Sequence, residues 1–225
     1  MMGALDQIPF PDPDFVVNSE PRCPCILLLD TSSSMKGHPI DQLNDGLITF
    51  KDELMADSLA AKRVEIALLT FGPVRVFSDF QLPDVFHTPS FEATGETPMG
   101  QAIEDGLDLL RQRKTQYKQN GISYYRPWVF LITDGAPTDE WRHAATLVHE
   151  GEARGAFSFF AIGVEGADMA VLRQLSIRQP VRLREMRFRD FFIWLTGTLK
   201  TATRTNPGDK IVLENPVAPD GWAII

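Results

Sequence analysis

CILLLDTSSSM, residues 25–35, decides how this chain is read. Four apolar residues, Ile26 to Leu29, form a run suited to a strand buried on both faces, and polar residues begin where that strand must end. Asp30, Ser32 and Ser34 follow at two-residue spacing. In an α/β sheet, ligands bind beyond the carboxyl ends of the strands. One carboxylate and several hydroxyls on a short loop suit a hard divalent cation such as magnesium, which takes oxygen ligands and retains waters. The same residue types also cap helices and make turns, so the cluster alone leaves both readings open.

Working outward, Ile40, Leu43, Leu47, Phe50 and Leu54 recur at three- and four-residue steps, with Pro39 placed for a first helical turn. VEIALLTF (64–71) and VRVFSDF (74–80) flank Gly72 and Pro73 and read as a hairpin, its second member at a sheet edge. A loop over 81–96 leads to Thr97 and Pro98, and Met99, Ile103, Leu107 and Leu110 mark a second amphipathic helix. WVFLIT (128–133) is another buried strand and ends in TDGAPTDE. A helix through Ala144, Leu147, Val148 and Ala153 follows, then the strand AFSFFAIG, a short helix over 169–175 and a last helix through Phe191, Leu195 and Leu199. This alternation predicts an α/β fold: a doubly wound, mostly parallel sheet with one antiparallel edge strand and helices on both faces.

The expected organisation is an extended arm over 1–24, with prolines at 9, 11, 13, 21 and 24, one domain over 25–202, and a tail over 203–225. Val212, Leu213, Trp222, Ile224 and Ile225 make the tail too apolar to stay loose, so it is expected to dock in cis or in trans, with Trp222 buried.

The chain has 225 residues, 44% hydrophobic, and a formal charge of -8, a balance that disfavours nucleic acid and anionic lipid. Arg182, Arg184, Arg187 and Arg189 form a local basic stretch, read as a solvated edge. No membrane-spanning run and no secretory pattern are present, and Gln7 stands where a myristoylation signal wants Ser or Thr. Cys23 and Cys25 are read as pointing to opposite faces of an extended chain, unpaired, in a reduced cytoplasmic protein.

If the strands before Asp30 and Asp134 are parallel neighbours, the two aspartates reach one sheet edge. Two carboxylates in a crevice need a cation, a shared proton or distance, and the adjacent hydroxyls favour the cation. Thr97 brings a third loop, with an N-cap role before Pro98 as its alternative.

DTSSSM, then TPMG, then ITDGAPTD resembles the metal-ion-dependent adhesion site of von Willebrand factor A domains, whose pattern is DxSxS, a later Thr and a later Asp. The resemblance implies that Ser32, Ser34 and Thr97 contact Mg2+ (or Mn2+), that Asp30 and Asp134 bind it directly or through water, and that one position stays open for an acidic group of a partner. Ser33 stands where glycine is common, which matters only if that position needs positive φ. LLLDTSSSM, GETPMG and the closing Gly221 and Trp222 further resemble the bacterial TerY-like proteins of tellurium resistance and stress response. That likeness implies an adaptor acting beside a protein kinase and a protein phosphatase. The competing class is a magnesium-dependent phosphoester hydrolase with Asp30 as nucleophile, but Ser32 stands where its second acidic residue belongs. A serine hydrolase lacks its G-x-S-x-G elbow, and His38, His87, His143 and His149 show no motif pairing them with a nucleophile.

Overall fold

A computed structural model describes residues 15, 17–211, 213, 215–217 and 221–224. Most of the expected arm, together with Val212 and Ile225, lies outside the described residues. β1 (Cys23–Asp30), β2 (Val64–Phe71) and β4 (Trp128–Thr133) are buried along their whole lengths. Alternate residues of each serve opposite faces, as a pleated strand requires. Leu27, Leu29, Ile66, Leu68, Phe130 and Ile132 pack on one side of the sheet. Ile26, Leu28, Ala67, Leu69, Val129 and Leu131 pack on the other.

The seven-stranded sheet has the order β3-β2-β1-β4-β5-β6-β7, with β3 (Arg75–Gln81), β5 (Ser158–Gly163), β6 (Val181–Leu183) and β7 (Ala223–Ile224) completing it. It is parallel from β2 to β6, and β3 is the antiparallel edge strand that the hairpin pattern predicts. A short antiparallel strand, β7, lies at the other edge. Helices α1 (His38–Met55), α2 (Ala60–Arg63) and α6 (Phe188–Thr203) line the first face. Helices α3 (Met99–Gln119), α4 (Arg142–Ala153) and α5 (Met169–Leu175) line the second. The chain leaves β1 toward β2 and later returns past it to β4, so the winding reverses between β1 and β4. That reversal opens a crevice at their carboxyl ends.

Three local readings are corrected. β1 begins at Cys23, two residues before the expected start; Pro24 pairs with β2 but lies ahead of the pairing with β4, which begins at Cys25. Cys23 and Cys25, two residues apart on a strand, share one face and both pack into the α1/α6 side. Both are free thiols; burial pushes the Cys23 thiol up to about 12 and the Cys25 thiol well above its ordinary value, which disfavours the thiolate of each. The basic stretch is no solvated edge at its start, because β6 lies between β5 and β7 with Leu183 buried.

The tail residue Trp222 is 5% exposed, with its ring 5.0 Å from Phe191 and 5.2 Å from Trp194. Its carbonyl accepts from Arg184 N at 2.8 Å, and Ala223 N donates to Pro216 O at 3.0 Å. Truncation after Thr205 is expected to lower the unfolding free energy in urea by about 1.5–3 kcal/mol, the scale of one buried aromatic side chain. An unchanged midpoint would show that this contact contributes nothing in solution.

Candidate metal centre

Asp30 closes β1 and Thr133 closes β4; the neighbours pair in register up to Leu29 and Ile132. The carboxylate of Asp30 is fully buried. Its Oδ1 accepts from Ser32 N at 2.9 Å and its Oδ2 from Thr133 Oγ1 at 2.5 Å. Ser32 Oγ lies 2.9 Å from Ser34 Oγ, which donates to Asp134 Oδ1 at 2.7 Å. One connected chain of oxygens thus runs from the end of β1 to the loop after β4.

Thr97 joins from a third direction. It precedes α3 but makes no side-chain cap there, and Pro98 takes the cap position. Its Oγ1 and Ser34 Oγ lie 3.4 and 3.9 Å from the point where a side-chain carbon on Gly135 would sit, which places both hydroxyls beside that glycine. The structure therefore brings Asp30, Ser32, Ser34, Thr97 and Asp134 to one crevice. Ser33 has no positive φ. Its N and Oγ both donate to Gly95 O, at 3.1 and 2.9 Å, so the departure from glycine ties the loop down instead of straining it.

Sequence reasoning passed over three residues. Thr133 orients Asp30, and its signal was a hydroxyl directly before Asp134. Thr138 and Asp139 bind the Thr97 loop: Thr138 Oγ1 accepts from Thr97 N at 3.1 Å. Asp139 caps α3 by accepting from Gly100 N and Gln101 N at 2.9 and 2.8 Å. Both partners lie about forty residues away, beyond any local pattern. Gly100 makes this docking possible, since a side-chain carbon there would meet Glu140 O at 2.3 Å. Gly100→Ala is expected to cost about 1–3 kcal/mol and to weaken metal binding, because the Asp134 loop must move. Gly197→Ala, on open helix surface, is the control expected to stabilise by about 0.5–1 kcal/mol. Equal behaviour of the two variants in urea denaturation would contradict this role.

The electrostatics ask for a cation. Burial raises the Asp30 pKa, against hydrogen bonds from Ser32 and Thr133, and Asp134 raises it further. Burial also raises Asp134, against its bond from Ser34. Neither carboxyl has an ammonium or guanidinium as a hydrogen-bond or ion-pair partner among the described residues. Among the described residues no group of three or more His, Cys, Asp or Glu is placed to hold a metal. Two carboxylates with three hydroxyls fit a hard, oxygen-seeking ion and not a thiolate or imidazole metal.

The sequence profile of the von Willebrand factor type A domain matches residues 25–191. This chain belongs to that family. Domains of the family commonly serve as metal-dependent protein-interaction modules. Solved structures agree on the fold. The vWF domain of the type V pili tip protein Mfa5 from Porphyromonas gingivalis superposes with a TM-score of 0.59 at 12% identity, over 84% of this chain and 99% of that one. The pilus adhesin SpaC from Lactobacillus rhamnosus GG gives 0.66 at 11% identity, over 83% of this chain and 31% of SpaC. Proximal thread matrix protein 1 from the mussel byssus gives 0.54 at 16% identity, over 81% of this chain and 49% of that protein. The chain thus spans half or less of the latter two proteins. At these identities the likeness shows a shared von Willebrand factor A fold alone. No curated protein matches the sequence.

Proposed function

We propose that this chain is a noncatalytic, metal-dependent protein-interaction module. A magnesium or manganese ion would be held by Asp30, Ser32, Ser34, Thr97 and Asp134, with waters completing the set and one position left for an Asp, Glu or phosphate oxygen of a protein partner. The observation that carries this reading is the pair of buried carboxylates joined by hydroxyls, with no cationic side chain bonded to either among the described residues. In a protein of charge -8, the ion supplies the local positive charge an acidic partner group needs. The chain's own residues orient the site: Thr133 and Ser32 fix Asp30, and Ser34 fixes Asp134.

Hydrolysis through Asp30 is not favoured, since both its oxygens are already hydrogen-bonded and Ser32 replaces the second acid that chemistry needs. On resemblance to TerY-like proteins we place the module in a tellurium resistance or stress-response system, beside a protein kinase and a protein phosphatase, in the cytoplasm. Two buried free thiols suit a reducing compartment. The negative charge speaks against nucleic acid as a partner, and among the described residues no helix is long and apolar enough to cross a membrane. Affinity capture from native extract in magnesium, in EDTA and with Asp30→Ala tests the reading. Partners held in magnesium alone, and lost with Asp30→Ala, are expected; equal capture in EDTA would refute it.

A further inference from the structure

A groove of about 540 Å³ runs between α3 and α4, and none of the metal-site residues lines it. Leu107, Leu110, Leu147 and Phe157 give it an apolar lining, while Arg111, Lys114 and Lys118 follow one another along its α3 side. Glu104 and Asp108 lie nearer the start of α3, and Asp108 pairs with Arg111 at 2.9 Å. The groove is thus positive at its Lys114 and Lys118 end, in a chain of charge -8. Lys114 donates to Ala156 O at 3.1 Å, and burial, with Lys118 beside it, lowers its pKa. A carboxylate placed there relieves that repulsion.

Phe15, the first described residue, is 4% exposed and packs on α3. Its ring lies 5.9 Å from Tyr117 and 4.8 Å from the Arg113 guanidinium. Tyr117 lies 5.2 Å from Tyr124, and Lys114 Nζ lies 6.0 Å from the Tyr124 ring. A continuous track therefore leads from Phe15 to the positive end of the groove, each step 6.0 Å or less. The residues preceding Phe15 read MMGALDQIPFPDPD: Asp6, Asp12 and Asp14 with no lysine or arginine, and Leu5, Ile8 and Phe10 as apolar anchors. Pro9, Pro11 and Pro13 favour extended backbone for themselves and for the residues before them. At about 3.1 Å per residue in that conformation, about six residues cover the track and bring Ile8 to the groove.

We propose that residues 1–14 dock in this groove in cis. Asp12 and Asp14 meet Lys114 and Lys118, and Ile8 and Leu5 cover Leu107 and Leu147. The arm then bridges the two helices whose leading loops carry Thr97 and Asp134.

The test uses the whole chain, 15N-labelled, with a nitroxide on Gln7→Cys; Cys23 and Cys25 are buried, so the label goes to residue 7. The nitroxide is expected to weaken the amide signals of Leu107 and Leu147 more than that of Arg22, whose guanidinium lies 5.5 Å from the Phe15 ring, in magnesium and in EDTA alike. Asp12→Lys with Asp14→Lys changes only the arm and should remove the loss at Leu107 and Leu147. A loss centred on Arg22 and fading toward the groove, as an arm tethered only at Phe15 gives, would overturn the proposal. So would a loss centred on the metal crevice, or one unchanged by the two lysines. Mixing spin-labelled 14N chain with unlabelled 15N chain separates docking in cis from docking on a second copy: signal loss at the groove in that mixture would also overturn it.

Discussion

Glu65→Ala is expected to lower the unfolding free energy by about 3–5 kcal/mol, the range for breaking a buried ion pair from one side. Glu65 stands second in β2 and is 2% exposed. Its Oε1 accepts from Arg22 Nε at 2.8 Å and Arg113 Nη2 at 2.9 Å; its Oε2 accepts from Arg113 Nε at 2.8 Å and from the Tyr117 hydroxyl. Arg22 is itself 1% exposed, so removing the carboxylate strands a guanidinium out of water. Phe15 packs on the same cluster, 5.5 Å from the Arg22 guanidinium and 4.8 Å from that of Arg113. The cluster lies at the opposite end of the strands from Asp30, about 20 Å away by strand rise, so magnesium affinity should be unchanged. Guanidinium denaturation showing a loss below about 1 kcal/mol would mean that solvent reaches these charges.

The second large effect concerns the ion. Magnesium at a hundredfold excess over its Kd should stabilise the wild-type chain by about 2.7 kcal/mol, a rise of roughly 5–10 °C in Tm for a domain of this size. Asp30→Asn should abolish that rise while leaving the metal-free chain at least as stable as wild type near neutral pH. The sign follows from the raised Asp30 pKa. A carboxyl raised on folding stabilises the fold below its ordinary pKa and withdraws that contribution as pH climbs through the raised value. Asparagine removes the buried charge, still offers Oδ1 to Ser32 N, and donates where Asp30 accepted from Thr133. A magnesium-dependent rise in Tm that survives Asp30→Asn would place the ion elsewhere.

The doubly wound sheet was legible because its central strands are unbroken apolar runs, and each ends in a polar loop. Asp30, Ser32, Ser34 and Asp134 stood out because hydroxyls and carboxylates have no packing reason to crowd the ends of such runs. Three kinds of feature were hidden. β6 and β7 are three and two residues long, too short for any period to show. The Glu65 cluster joins partners 43 and 48 residues apart, so nothing in VEIALLTF marks its second residue as an ionic hub. The Thr138 and Asp139 contacts to the Thr97 loop exist only once β1, β4 and α3 are packed. Cys23 and Cys25 were misjudged for a simpler reason: residues two apart on a strand share a face.

A crystal structure of the chain soaked in manganese chloride, read by anomalous scattering, tests the metal centre most directly. One peak is expected in the crevice between Asp30, Ser32, Ser34, Thr97 and Asp134, with protein and water oxygens completing a roughly octahedral shell about 2.1 Å from the ion. No peak there, or one bound only by surface carboxylates away from the ends of β1 and β4, would contradict it.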